Sequence, residues 1–157
     1  MGQHDEYGKL VFREALGKAF TEWGDSVCVD YGAGQPARID GCVGSFIAVE
    51  IESRTSKQVR GAVLDLICHP LPKKLLVLLP MYMYNPAVTA EQCRFALGRF
   101  VGAQDFRVVV LEGTGDLHRL DVDVSRVRMS LAELGYEEMP KHQRPKSEVD
   151  ASREGRP

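Results

Sequence analysis

Ala37-Arg38-Ile39-Asp40, then a turn-like Gly41-Cys42-Val43-Gly44-Ser45, then Phe46-Ile47-Ala48-Val49-Glu50-Ile51-Glu52-Ser53-Arg54: the reading of the whole chain turns on this run. The first segment ends on a carboxylate. The second alternates Ala48, Glu50 and Glu52 with Ile47, Val49 and Ile51. Residues two apart in a strand share a face, so Glu50 and Glu52 stand side by side, about 7 Å apart. A turn over residues 41–45 folds the segments into a hairpin and carries Asp40 to the same end of the sheet. Three carboxylates among apolar strands are costly unless something positive joins them. A hard divalent cation, which takes oxygen ligands, offsets that cost. The alternative is an amphipathic strand whose charged face is simply solvated.

The surrounding composition bounds the answer. The chain has 157 residues, 44% hydrophobic and 27% charged, which suits one soluble domain over residues 1–136. Residues 137–157 are rich in Pro, Lys, Arg and Glu and read as a disordered charged tail. A net charge of −2 excludes a general basic coating for nucleic acid but leaves room for a local basic patch. No apolar run approaches a membrane span, and the first residues lack a basic and apolar leader, so a cytoplasmic location is expected. Cys28, Cys42, Cys68 and Cys93 form no CxxC pair and read as free thiols, not a zinc site. His69, before Pro70, reads as a helix end. No small-molecule cofactor is evident.

Working outward, residues 9–23 carry helical periodicity, with Val11, Phe12, Ala15, Leu16, Ala19, Phe20 and Trp23 on one face and Gly24 as the stop. Glu14 lies at the margin of that face, and Glu22 is the fallback carboxylate. Residues 26–31 read as a short strand before a Gly-rich connector. Thr55 or Ser56 caps a second helix to about Cys68, with Val59, Ala62, Val63, Leu66 and Ile67 inward. Residues 73–79 form an aliphatic strand covered on both faces. A third helix spans 89–101 with Cys93, Ala96, Leu97 and Phe100 inward, and a second aliphatic strand spans 106–111. Residues 117–124 read as a hairpin partner to it, with a short helix near 127–134. Strands alternating with helices after an initial meander indicate an α/β sandwich around a mixed sheet.

This order of elements, with its carboxylates, resembles the PD-(D/E)xK nuclease superfamily, whose core is αβββαβ. The small archaeal Holliday-junction resolvases and type II restriction endonucleases are similar in layout. Glu14 matches the superfamily's helix glutamate, Asp40 its aspartate, and Glu50 the first acidic residue of the (D/E)xK pair. The resemblance covers roughly residues 9–112 and implies a restriction-endonuclease-like fold.

Two positions depart from the pattern: Ile39 stands where the motif name has proline, and Glu52 stands where the superfamily has lysine, giving ExE. Glu52 then serves as a further metal ligand or as general base, or Lys57 on the next helix supplies the ammonium, or the site has decayed. The resemblance implies a Mg²⁺-dependent (or Mn²⁺-dependent) DNA endonuclease in which Asp40, Glu50 and Glu14 hold the metal. Arg54 and Arg60 would contact phosphates, and a homodimer would serve two strands. The competing expectation is a catalytically inactive nuclease-fold protein that binds DNA or protein. Tyr82 and Tyr84, beyond the first aliphatic strand, read as helix or dimer packing rather than as part of the site.

Overall fold

The computed structural model describes residues 3–54 and 57–137. The expected cap at Thr55 or Ser56 falls outside them, as does the expected tail beyond its first residue.

A five-stranded mixed sheet forms the centre. Its strands are β1 (Phe20–Thr21), β4 (Gly41–Val43), β5 (Ile47–Glu52), β6 (Lys73–Leu78) and β7 (Phe106–Val110), in that spatial order. The intervening β2 (Cys28–Val29) and β3 (Ala37–Arg38) pair only with each other, as a small antiparallel ribbon. Strand β4 runs antiparallel to both of its neighbours, β1 and β5, whereas β5, β6 and β7 run parallel. The parallel pairs are joined by α2 (Lys57–Cys68) and α3 (Pro86–Gly98), as parallel crossovers require.

Two apolar layers enclose the sheet. Ile47, Val49 and Ile51 of β5 face α1 (Gln3–Leu16) and α4 (Leu120–Glu133), which contribute Tyr7, Val11, Phe12, Val124, Val127 and Leu131. Ala48 of β5 and Leu76 and Leu78 of β6 face α2 and α3. Gly8 lets α1 approach closely, because a Cβ there would lie 2.4 Å from the Ile51 side chain. Every residue of β5 is buried, including Glu50 and Glu52. The solvated-face reading of this strand is thereby overturned.

Several boundaries differ from expectation. The first helix covers residues 3–16, not 9–23: Gly17, at φ +55°, ends it, and Phe20 enters the sheet opposite Val43. Trp23, expected inside, is 72% exposed. Residues 41–43, expected as a turn, are a strand, and the reversal falls at Gly44. Residues 37–38 belong to the ribbon, so Asp40 stands where the chain passes from one sheet to the other. The third helix begins earlier, at Pro86 behind an Asn85 cap, and Phe100 is exposed. Residues 117–124 form no hairpin strand. Leu120, Val124, Val127, Leu131 and Leu134 recur at three- and four-residue spacing and pack as helix against α1.

Candidate functional site

The pairing of β4 with β5 places the acidic residues. Gly41 opposes Val49 and Cys42 opposes Ala48, so continuing the register by one residue sets Asp40 opposite Glu50. The Ile51 N–H points to this edge and donates to Asp40 Oδ2 at 2.8 Å. Glu50 therefore falls at a position whose own main-chain groups face away, where opposed side chains approach most closely. Asp40, Cys42, Ala48 and Glu50 share the α2 side of the sheet. Glu50 and Glu52 occupy the carboxyl end of a parallel strand, where open α/β sheets commonly receive ligands.

Asp65, on the inward margin of α2, closes the arrangement. Glu50 lies within side-chain hydrogen-bonding reach of both Asp40 and Asp65. The Tyr31 hydroxyl, from the loop joining β2 and β3, donates a short hydrogen bond to Asp65 Oδ1. Tyr31 is held protonated above its usual range by burial, by that bond and by the Asp65 charge. Glu50 is 7% exposed, and burial together with the Asp40 and Asp65 carboxylates pushes its carboxyl up to about 11. All of these influences favour the neutral form. At neutral pH Glu50 therefore carries a proton that it shares with acidic neighbours.

Glu52 has a different environment. Its Oε1 accepts from Ser53 N at 2.9 Å, Arg54 N at 2.7 Å and Arg54 Nε at 3.3 Å. The carboxylate thus folds back on the chain leaving β5 and organises that exit. Arg54, expected on phosphate, leans on Glu52 with its side chain still 58% exposed. Lys57 is exposed at the first turn of α2. Arg60 lines an apolar groove of about 570 Å³ between α2 and α3, with Val63, Leu64 and Phe100.

Glu14 is not brought to the site. It is exposed on α1, and α1 covers the sheet face opposite Glu50. The fallback Glu22 is also committed elsewhere. It accepts from Arg13 Nε at 2.8 Å and Nη2 at 2.7 Å, with Lys9 at 3.7 Å, and the Arg13 hydrogen bond holds its carboxyl below the usual range. The structure thus brings together Asp40 and Glu50 of the expected set, keeps Glu52 beside them in another role, and adds Asp65 and Tyr31. Asp65 carried a faint sequence signal, as an acid interrupting the margin of an apolar helix stripe just after an acidic strand. Tyr31 carried none.

The donor set suits a hard cation in a limited way. Among the described residues no three His, Cys, Asp or Glu side chains are arranged to hold a metal ion together. Mg²⁺ does not require that, since it commonly binds through one or two carboxylates plus water and substrate phosphates. Asp40 and Glu50 are two such carboxylates, and among the described residues the charged groups acting on buried Glu50 are acidic. His69 and the cysteines lie outside this centre. The His69 ring bonds the Ser26 carbonyl and the Leu71 N–H, and all four cysteines are free thiols. Among the described residues no helix is long and apolar enough to cross a membrane. Comparison with protein-family models, curated proteins and solved structures finds no match for this chain.

Proposed function

We propose that the protein is a metal-dependent DNA endonuclease of the PD-(D/E)xK kind, with a restriction-endonuclease-like core, acting as a homodimer. One observation carries the reading. Glu50, buried at the carboxyl end of β5, faces Asp40 and Asp65, and among the described residues no cationic group acts on it. A divalent cation is what such a centre lacks.

Asp40 and Glu50 would hold Mg²⁺ or Mn²⁺ against a non-bridging phosphate oxygen. When bound, the cation would neutralise charge developing on the phosphoryl group and lower the pKa of water. Glu50 must lose its proton for this, and the positive charge of the cation is what would favour that loss. Asp40 is fixed by its bond to Ile51 N, so its carboxylate is oriented before any ligand arrives. Lys57 and Arg54, exposed just past β5, would meet the substrate's flanking phosphates. Glu14 has no part in this site.

A second reading is a catalytically inactive protein of the same fold that binds DNA or protein. The capture of Glu52 by the Ser53 and Arg54 N–H groups favours it, because that carboxylate is occupied by its own loop. The deciding experiment is incubation with supercoiled plasmid and branched oligonucleotides in Mg²⁺, Mn²⁺ or EDTA. Metal-dependent cleavage lost in Asp40→Ala and Glu50→Ala is expected. DNA binding without cleavage would select the second reading, and neither activity would reject both.

A further inference from the structure

Among the described residues the central sheet has two edge strands that no further strand covers. One, β1, is only two residues long. The other, β7, reads Phe-Arg-Val-Val-Val, a strongly strand-forming stretch that an extended partner could join.

The register with β6 decides which main-chain groups are on offer. Lys74 N donates to Asp105 O, and Leu111 N donates to Leu78 O, so the odd-numbered residues turn toward β6. Phe106, Val108 and Val110 turn their N–H and C=O groups outward. Each outward carbonyl meets a guanidinium. Phe106 O accepts from Arg107 Nη1 at 2.7 Å, Val108 O from Arg94 Nη2 at 2.9 Å, and Val110 O from Arg126 Nη1 at 2.8 Å.

The three arginines reach this edge from different elements. Arg94 comes from α3 on one face of the sheet, Arg126 from α4 on the other, and Arg107 from the strand itself. Two are anchored in turn by carboxylates. Arg107 Nε donates to Glu133 at 2.8 Å, and Arg126 is paired with Glu112. That pairing makes the edge a poor anion site, because two of its three cations are already answered. An incoming strand would have to displace charge-assisted hydrogen bonds at every second residue and strip water from the arginines.

We propose that β7 is a sheet edge shut by its own arginines, and that the strand it is shut against is β7 of a second copy. Across a two-fold axis the outward groups of Phe106, Val108 and Val110 would meet those of Val110, Val108 and Phe106, and the strand is the same in every copy. Association of this chain with itself then uses another surface, and loss of Arg94 and Arg126 opens this one.

Hydrogen exchange on the full chain, with sedimentation velocity, tests the proposal. In the unaltered protein the amides of Phe106, Val108 and Val110 exchange quickly at any protein concentration, whereas those of Arg107 and Val109 are protected. In Arg94→Ala/Arg126→Ala the outward amides slow by at least about tenfold as concentration rises, and a dimer appears. Adding Val110→Pro, which removes an outward N–H and no bond to β6, reverses both effects. Concentration-dependent protection of the outward amides in the unaltered protein would overturn the proposal. So would a folded double variant whose exchange ignores concentration. Should the double variant not fold, the exchange pattern of the unaltered protein still decides.

Discussion

Of the three carboxylic acids buried among the described residues, Glu50, Glu52 and Asp123, two have opposite surroundings. Asp123, at 0% exposure on α4, accepts from the Tyr7 hydroxyl at 2.7 Å, Glu112 N at 2.7 Å and Gly113 N at 2.8 Å. Only donors face it. Glu50, at 7% exposure on β5, faces two carboxylates, one of which holds a tyrosine hydroxyl of its own. Asp123 ties α1, the turn after β7 and α4 into one unit, and that accounts for it fully. Burial of an acid is thus no signal of function; the character of its neighbours is. The donors around Asp123 describe architecture, whereas the acceptors around Glu50 are the ground on which a cation site is proposed.

The sharpest way to break this contrast is to remove Asp123. Asp123→Ala leaves the Tyr7 hydroxyl and two N–H groups without their acceptor, and about 3–5 kcal/mol of stability should be lost in urea unfolding. A loss under about 1 kcal/mol would mean that water replaces the carboxylate and that Asp123 is not a clasp. Gly113→Ala strikes the same clasp sterically, since its Cβ would sit 2.2 Å from the Tyr7 hydroxyl oxygen.

Glu50 should respond in the opposite sense. Its carboxyl is raised from the ordinary 4.5 to about 11 in the folded protein, so folding takes up a proton over that interval. The associated stability is complete below the unfolded value and is lost as pH rises toward the folded one. The slope is at most ~1.4 kcal/mol per pH unit. Glu50→Gln should therefore be more stable than the unaltered protein near pH 8, and the two melting curves should converge near pH 5. Equal pH dependence in both would show that Glu50 titrates normally and that the contrast with Asp123 is false.

A smaller effect is expected from Tyr31→Phe, which removes only the hydroxyl that holds Asp65. Stability should fall by about 0.5–1.5 kcal/mol. Affinity for Mn²⁺ should fall by about tenfold, as loss of a group that orients a ligand's neighbour does. Unchanged Mn²⁺ affinity would confine Tyr31 to a structural role.

Much of this was legible in the sequence, for reasons particular to each element. The aliphatic run at 73–79 could only be a covered strand, and the alternation at 47–52 correctly set Glu50 and Glu52 on one face. That face is nevertheless buried, because α2 and α3 return over it, and periodicity alone does not reveal what lies above a strand. Asp40 was placed by its spacing to Glu50, although the strand beside it lies at 41–43 and not at 37–40. Glu14 failed because it is exposed on α1, not at the margin of a buried face, and α1 covers the sheet face away from Glu50. Its helix also ends at Leu16, a full turn before the apolar residues that then enter β1. Asp65 and Tyr31 meet Glu50 from a helix and a ribbon loop distant in sequence, and no local pattern joins them. Leu117 to Val124 misled because Leu120, Val122 and Val124 alternate there with Asp121 and Asp123, while the longer three- and four-residue spacing through Leu134 governs the packing.

The most direct test of the central claim is calorimetric titration of the full chain with Mn²⁺ near pH 7 in two buffers of different ionisation enthalpy. The account predicts saturable binding accompanied by proton release, as Glu50 exchanges its proton for the cation, and loss of both in Asp40→Ala and Glu50→Gln. Absence of saturable Mn²⁺ binding in the unaltered protein, or binding that both variants retain, would contradict it.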